Sequence, residues 1–172
     1  VEVKFQSHLA TMYQIQGIIV EQNSNNYLRF DFVYDNLGTK IFSASFSNGT
    51  PSVRSSVRIV NGNPLYLRVK RVGNQWTESY SYNGTSWTTA GSFTHALTVA
   101  SIGPFAGNAG NPAPAFTSRI DYFFNTASPI VPEDGGDTVA PVFNIWYGPD
   151  QLFGYNGIPQ AWVNILGKVS DQ

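Results

Sequence analysis

The feature that most constrains the fold is the stretch 65–93, where strand patterns and turn signals follow one another directly. From Leu65 to Val69, apolar and polar residues alternate with the two-residue period of a strand that has one buried face. Gly73-Asn74 and Asn83-Gly84 tolerate positive φ, so each predicts a tight hairpin turn. The stretch therefore predicts three antiparallel strands in a meander. Its aromatic side chains require a second layer to bury them. Those on one parity are Trp76, Tyr80 and Tyr82.

Similar patterns recur along the rest of the chain. Segments with strand periodicity, separated by Asn/Gly/Pro turn signals, are 1–5, 15–22, 27–34, 40–47, 53–60, 100–107 and 116–124. The alternation weakens between Ala90 and Thr98, which predicts a crossing loop. No segment keeps a helical period for more than a turn or two. These features predict an all-β sandwich or barrel, and the aromatic side chains of the meander make a two-sheet sandwich our first hypothesis.

Composition excludes several classes of function. Charged residues make up 12% of the 172 residues, aromatic residues make up 15%, and the formal net charge is −1. This balance gives no basic face for nucleic acid. The absence of Cys excludes disulfides and thiolate metal sites, and no run of about 18 apolar residues predicts a membrane span. The composition favours a secreted β protein, so we expect an extracellular or cell-surface location.

The predicted domain organisation has three parts. Residues 1–125 form the sandwich module, and residues 126–141, rich in Pro and Gly, form an extended linker. Residues 142–172 contain two further predicted strands, Val142–Trp146 and Trp162–Gly167, which either dock on the sandwich or begin a neighbouring domain. The chain starts inside a strand pattern, so we expect a processed or excerpted piece of a longer protein.

A family resemblance rests on the runs GIIVEQNSNNYLRFDF, PLYLRVKRVGNQWTESYSYNGTSWT, IGPFAGNAG and IDYFFN. These runs resemble the concanavalin A-like lectin/glucanase superfamily, in particular its laminin-G-like jelly rolls and the accessory sandwich of bacterial β-xylosidases. The resemblance covers about residues 1–125 and implies a two-sheet antiparallel jelly-roll sandwich of the concanavalin A-like kind. Members of that group begin with a further strand or two, so the resemblance also implies that amino-terminal strands of the module are missing here. Residues 138–172 resemble the linker and opening strands of an immunoglobulin-like domain. It leaves function open, because such sandwiches serve as sugar-binding modules, adhesive domains or structural appendages.

The resemblance also bears on catalysis. Catalytic members of the superfamily carry a Glu-x-Asp-x-x-Glu run on one strand, which supplies a nucleophile and a general acid. This chain has no such run, and Glu21, Asp31 and Glu78 lie on separate predicted strands. We therefore expect a noncatalytic domain, although an appended or partner domain could be catalytic.

The candidate carbohydrate-binding residues lie on the polar faces of two predicted strands. They are Tyr27, Arg29 and Asp31 on one strand and Tyr66, Arg68 and Lys70 on the other. If the two strands share a sheet, these side chains make one concave surface that stacks on sugar rings and hydrogen-bonds to hydroxyls. The alternative is that they form ordinary cross-strand ion pairs on a solvated sheet.

The resemblance also implies a possible calcium ion at the rim of the sandwich, held by oxygen ligands. The candidate donors are Asp35, Asn108, Asn111 and Asp121. No Asp-x-Asp loop marks the site. His8 and His95 lack a neighbouring acidic cluster and are expected to be surface residues, and Trp87 is expected to pack against its own turn rather than serve as a sugar platform.

The sequence thus predicts a noncatalytic carbohydrate-binding module of a secreted or cell-surface bacterial multidomain protein. Its expected partner is a polysaccharide or other glycan. The alternative is a structural or adhesive domain whose role is contact with neighbouring domains or self-association, favoured by unpaired sheet edges. A glycoside hydrolase is the function that the sequence supports least.

Overall fold

The computed structural model describes residues 1–128, 142–145 and 167–170, and within these ranges the only regular secondary structure is β-strand. The chain divides into two units, Val1–Pro129 and Ile130–Gln172. No helix within the described ranges is long and apolar enough to cross a membrane. The predicted all-β class is therefore confirmed.

The first unit contains ten strands in two antiparallel five-stranded sheets. The strands are β1 (Glu2–Phe5), β2 (Ile15–Asn23), β3 (Asn26–Asp35), β4 (Gly38–Ser47), β5 (Thr50–Arg58), β6 (Leu65–Val72), β7 (Gln75–Ser81), β8 (Thr88–Thr94), β9 (Ser101–Gly107) and β10 (Ile120–Phe124). Sheet I has the order β10-β1-β6-β7-β8, and sheet II has the order β5-β4-β3-β2-β9. This arrangement confirms the predicted two-sheet antiparallel sandwich.

The core lies between the two sheets, where strands such as β3 and β6 bury the apolar side chains of their inner face. Phe30 and Phe32 on β3 of sheet II have no exposed surface. Phe30 packs against Trp76 of sheet I at a ring-centroid distance of 6.1 Å, and Phe32 meets the edge of Phe5 at 6.2 Å. Burying each such side chain contributes about 1.5–3 kcal/mol. The remaining fully buried apolar residues include Val3, Leu9, Ile18, Val20, Leu28, Ile41, Leu65 and Leu67.

The predicted meander is present as β6, β7 and β8, but one of its turns differs from the prediction. Gly73-Asn74 makes the tight turn between β6 and β7. Asn83-Gly84 does not, because the loop between β7 and β8 runs from Tyr82 to Trp87. Tyr82 consequently lies in this loop and is 43% exposed, instead of being buried with Trp76.

Two other strand predictions need correction. The predicted loop 90–98 begins too early, since β8 continues to Thr94. The alternation there is weak because β8 is an edge strand with small residues, and Gly91 lies close against Ser55 of β5. The last strand of the sandwich begins at Ile120 rather than at residue 116. Separately, β1 is paired on both sides, by β10 and β6, so it is an interior strand of sheet I. That the module lacks further amino-terminal strands stays a prediction.

In the second unit, the described residues form one antiparallel strand pair. β11 (Val142–Ile145) pairs with β12 (Gly167–Ser170). The first matches the predicted strand 142–146, whereas the second meets the predicted strand 162–167 only at Gly167. Most of the predicted linker, residues 129–141, and residues 146–166 lie outside the described ranges. The assignment of this unit to an immunoglobulin-like domain stays a prediction.

Candidate functional site

The two strands that carry the predicted sugar-binding residues lie in different sheets. β3, with Tyr27, Arg29 and Asp31, belongs to sheet II, whereas β6, with Tyr66, Arg68 and Lys70, belongs to sheet I. The prediction of one joint concave surface is therefore wrong. Side-chain parity shows which residues share a face of one strand, but it does not show which strands share a sheet. The two groups form separate outer faces.

On sheet II, Arg29 and Asp31 form a partly buried ion pair on the outer face. Arg29 Nε donates to Asp31 Oδ2 over 2.7 Å, and the Asp31 side chain has no exposed surface. Burial raises the pKa of Asp31 to about 6, against the opposing effect of the Arg29 charge. The guanidinium carbon of Arg29 lies 5.4 Å from the ring centroid of Phe42 and 5.9 Å from that of Phe105. Asp31 is therefore unable to contact a ligand in this conformation.

Tyr27, the third predicted residue on this outer face, also packs within the protein. The Tyr27 ring stacks on Phe46 at 4.1 Å with an interplanar angle of 11°. Gly17 lies opposite Asp31 on β2, where an added Cβ would come within 2.6 Å of Asp31 Cα. The glycine thus makes room for the buried carboxylate. The outer face of sheet II thus carries aromatic rings together with the paired cations Arg29 and Lys40.

On sheet I, Arg68 is the centre of a denser cluster. Its Nε and Nη2 donate to Glu2 Oε2 over 3.0 and 2.6 Å. The guanidinium carbon also lies 3.8 Å from the ring centroid of Trp87, a stacked cation–π geometry. Tyr122 donates its hydroxyl to Glu2 Oε1 over 2.8 Å, and burial followed by this hydrogen bond raises the pKa of Tyr122. Glu2 is thus satisfied on both oxygens, and Arg68 is held rigidly.

A row of aromatic rings crosses the same outer face. The ring centroid of Tyr66 lies 6.5 Å from Trp87 and 6.3 Å from Tyr122, and Tyr122 lies 5.2 Å from Phe124. These rings come from β6, β10 and the loop before β8, so the row exists only in the assembled sheet. Each ring is half-buried. Apolar ring surface therefore remains in contact with solvent along the row.

Beside this row lies a groove of about 380 Å³, which we call the β6–β8 groove. Its polar lining residues are Arg68, Lys70, Gln75, Thr77, Ser79 and Thr89. The lining combines cationic donors with amide and hydroxyl groups that both donate and accept hydrogen bonds. Such a surface can bind a polyhydroxylated molecule, and two of the predicted residues, Arg68 and Lys70, belong to it.

A second cleft, of about 360 Å³, lies at the other end of β6 and is called the Pro64 cleft. Its lining residues are Lys4, Gln6, Asn63, Pro64 and Arg119. Lys4 lies on β1 opposite Tyr66 on β6, and its Nζ is 5.8 Å from the ring centroid of Tyr66. The aromatic row therefore adjoins both openings.

The role of Trp87 agrees with the expected packing function. Its indole nitrogen donates to the carbonyl oxygen of Gly84 over 3.1 Å, within its own loop. Asn83 Oδ1 accepts from the backbone amides of Thr85 and Ser86, so the loop is held by its own side chains. The loop thus holds the indole of Trp87 in place, and the guanidinium group of Arg68 packs against this ring.

Sequence reasoning missed several residues of this site. Thr77 and Ser79 share the outer parity of β7, and Glu2 and Lys4 share that of β1. Their alternation with buried neighbours indicated that they lie on an outer face. However, small hydroxyl side chains such as Thr77 and Ser79 do not by themselves indicate a binding site. The position of Tyr122 beside Tyr66 had no signal, because the pairing of β10 with β1 joins residues 120 positions apart.

The two carboxylates among the predicted calcium donors are already paired with cationic side chains. Asp35 pairs with Arg58 at 2.6 Å and with Lys40 at 2.9 Å, and these partners lower its pKa. Asp121 pairs with Lys4 at 2.6 Å in sheet I. Asn108 donates to the carbonyl of Pro114, and Asn111 lies in the same loop. The part of the chain that the structure describes contains no metal-binding group of three or more His, Asp or Glu side chains. Calcium stays a prediction without a site geometry to support it.

The acidic residues considered for catalysis are far from forming an accessible pair. Asp31 and Glu78 both have no exposed surface, and Glu78 faces the core. Glu21 is half-buried on β2 and accepts a hydrogen bond from Ser101. General acid catalysis requires a carboxyl group within reach of the substrate. Among these three residues, the geometry offers no glycosidase pair.

The fold and the outer-face geometry define a two-sheet antiparallel β-sandwich with a polar, aromatic-lined surface on sheet I. No protein-family model matches the chain, and no curated protein matches it in sequence. Solved structures do match. The GH43 protein BlXynB from Bacillus licheniformis has a TM-score of 0.55 and 24% identity over 63% of this chain. A point mutant of it gives 0.53, with 24% identity over 61%.

A functionally unknown protein from Saccharomyces cerevisiae also matches, with a TM-score of 0.52 and 19% identity over 61% of this chain. The chain spans 24% of the Bacillus licheniformis protein and 57% of the yeast protein. At these identities the similarity shows the fold alone. It confirms that the chain shares a β-sandwich with part of a GH43 protein, and membership of the concanavalin A-like superfamily stays a prediction.

Proposed function

We propose that the sandwich is a noncatalytic carbohydrate-binding module of a secreted or cell-surface bacterial multidomain protein. The observation that supports this proposal best is the β6–β8 groove beside the aromatic row of sheet I. Protein sites for small ligands occupy about 300–1,000 Å³ and combine apolar surface with a few oriented polar groups. The groove, at about 380 Å³, has this size and this mixture.

The chemistry of the groove suits a sugar. Thr77 and Ser79 present hydroxyl groups, Gln75 presents an amide, and all three can donate and accept hydrogen bonds. Tyr66, two positions before Arg68 on the outer face of β6, offers a half-buried ring in the aromatic row, against which the C–H face of a pyranose can pack. Arg68 is fixed by Glu2 and Trp87, so little side-chain entropy is lost when it binds a hydroxyl group.

The similarity to part of a GH43 protein also supports a noncatalytic module, although less specifically than the groove does. The chain matches only 24% of a GH43 protein, as expected for an accessory domain that is joined to a separate catalytic domain. The accessible surfaces of the sandwich lack a pair of exposed acidic residues among Glu21, Asp31 and Glu78. We infer that any hydrolysis would belong to another domain, and that this module would hold the substrate near it.

Binding to soluble and insoluble plant and algal polysaccharides tests the proposal. We expect weak binding that Tyr66→Ala reduces about two- to ten-fold, because one aromatic contact contributes about 0.5–1.5 kcal/mol. Tyr27→Ala is the matched control, since Tyr27 is a half-buried, ring-packed tyrosine on the other sheet. Thermal melting of each variant confirms folding. Binding to none of the glycans, or equal loss in both variants, would reject a site on sheet I.

A second candidate function, self-association or adhesion, is favoured by one observation. β5 is a nine-residue edge strand of sheet II, and its Val53 is 65% exposed. A long exposed edge can pair with a strand of another molecule. Light scattering after size-exclusion chromatography distinguishes the two functions. A strict monomer over a hundred-fold concentration range counts against assembly through β5.

A further inference from the structure

We propose that the glycan bound by sheet I is acidic, with carboxylate groups of uronic acid residues contacting both the β6–β8 groove and the Pro64 cleft. This inference rests on the proposed carbohydrate-binding function and specifies its ligand. It depends on which cationic side chains of sheet I are paired with carboxylates of the protein and which are not.

Four cationic side chains line the two openings on the outer face of sheet I. They are Lys4, Arg68, Lys70 and Arg119. Two of them are neutralised within the protein, since Lys4 pairs with Asp121 at 2.6 Å and Arg68 pairs with Glu2 at 2.6 Å. The protein therefore already compensates the charges that flank the aromatic row.

The other two cations, Lys70 and Arg119, have no such compensation. Within the described ranges, neither side chain has a carboxylate within 4.0 Å or donates a hydrogen bond to a protein acceptor. Lys70 lies in the β6–β8 groove and Arg119 in the Pro64 cleft, so each opening keeps one cation available for a ligand. A carboxylate can accept charge-assisted hydrogen bonds from either group.

The spacing of the openings indicates a polymer rather than a small anion. Pro64 directly precedes β6, and Lys70 lies on β6 six positions later, which corresponds to about 20 Å of extended chain. Tyr66 and Arg68 lie between them and continue the same outer face. An extended chain with repeated negative charges can contact both openings at once, which a single anion cannot do.

The nature of the central surface favours a sugar chain over a nucleic acid. The formal net charge of the whole chain is −1, and Glu2 and Asp121 lie within the same face. Because these carboxylates pair with Arg68 and Lys4, only Lys70 and Arg119 remain uncompensated on this face, and they form a much smaller basic surface than the phosphate backbone of a nucleic acid selects. A uronic acid polymer also has pyranose faces that can pack against the ring of Tyr66.

Affinity for polygalacturonate, measured by isothermal titration with the whole chain, tests the inference. The matched neutral ligand is the same polymer with its carboxylates methyl-esterified, and xylan is included as an unrelated neutral glycan. Dextran sulfate, with uncharged dextran as its control, tests whether the two openings bind sulfate groups instead of carboxylate groups. We expect polygalacturonate to bind at least about ten-fold more tightly than its ester, since both openings lose a charge-assisted contact with the ester.

Charge-removing variants localise the effect. Lys70→Gln and Arg119→Gln are each expected to weaken polygalacturonate binding about two- to five-fold, the range for an exposed ion pair, and the effect should shrink at high salt. Lys40→Gln is the matched control, because Lys40 lies on sheet II and its replacement changes the net charge equally. Equal weakening in all three variants would mean nonspecific ion exchange and would overturn the inference.

The remaining outcomes separate the two proposals. If xylan and esterified polygalacturonate bind as tightly as the acid form and Tyr66→Ala weakens them, the module binds sugar but the preference for acid is wrong. If dextran sulfate binds and polygalacturonate does not, the assignment to carboxylate groups is wrong. If no polysaccharide binds, the carbohydrate-binding function itself is rejected.

Discussion

A buried, unpaired glutamate in the core provides a sharp test of the structure. Glu78 on β7 has no exposed surface, and neither of its carboxylate oxygens has a hydrogen-bond partner among the described residues. Burial raises the pKa of Glu78 well above its usual value, and the negative charge of Asp31 raises it further. The nearby Ser43 hydroxyl opposes this shift, although it lacks hydrogen-bonding geometry. We expect Glu78→Gln to stabilise the protein at neutral pH.

The direction of the pH dependence follows from proton binding. The folded state binds the Glu78 proton more tightly than the unfolded state, whose glutamate pKa is about 4.3. The stability that Glu78 contributes is therefore fully present below that value and is lost as pH rises toward the folded-state pKa, by about 1.4 kcal/mol per pH unit. Glutamine has a similar shape and does not titrate, so Glu78→Gln removes this loss.

The size of the effect comes from the cost of an unpaired buried group. Such a group costs about 1–3 kcal/mol, and more when it is charged. We therefore expect Glu78→Gln to raise the free energy of unfolding by about 2–3 kcal/mol at pH 7 and to change it by less than about 0.5 kcal/mol at pH 4. At the lower pH the protonated acid and the amide are both uncharged and similar in shape, so their burial costs are similar.

Urea denaturation between pH 4 and pH 8, followed by tryptophan fluorescence, measures the difference. Glu21→Gln is the matched control, because it removes the same charge from a half-buried surface position on β2. This variant should stay within about 0.5 kcal/mol of the wild type throughout. If Glu78→Gln is no more stable than the wild type at pH 7, or if its advantage does not change with pH, then Glu78 is not an unpaired core carboxylate.

Two further substitutions test the outer face of sheet II. Arg29→Ala leaves the buried Asp31 carboxylate without its ion-pair partner, which should cost about 3–5 kcal/mol in urea denaturation at pH 7. Because the pKa of Asp31 is already about 6, this loss should be smaller at pH 5, and an equal loss at both pH values would contradict the ion-pair account. Gly17→Ala places a Cβ against the Phe30 carbonyl oxygen and within 2.5 Å of Asp31 Cβ, so it should destabilise the protein by about 3 kcal/mol. A variant within 0.5 kcal/mol of the wild type would show that β2 and β3 separate easily there.

The buried face of β6 follows directly from its sequence period. The alternation Leu65, Leu67, Val69 predicted the buried face of β6, and all three side chains are at most 3% exposed. The same reasoning placed Tyr66, Arg68 and Lys70 on the outer face, where the structure has them. A two-residue period reports exposure directly, because successive side chains of a strand point to opposite faces.

Other features had no local signal. Asp31 shares its parity with Arg29, so it was expected on the solvated face, yet Arg29, Phe42 and Phe105 leave it no exposed surface. Asn83-Gly84 carried a strong hairpin signal, but the Asn83 side chain caps a longer loop instead. Burial by residues from other strands overrides parity, and side-chain hydrogen bonds override turn propensity.

The sequence by itself determined the strands, their buried faces and the need for two layers, because these follow from local periodicity and from the number of apolar residues to be buried. Only the tertiary structure decided that β3 and β6 lie in different sheets, and that Glu2, Tyr66, Arg68, Trp87 and Tyr122 meet on one of them. Strand pairing joins residues far apart in the chain, and the energy that selects one pairing over another is distributed over the whole core. The composition of a binding surface is therefore set when the sheets assemble.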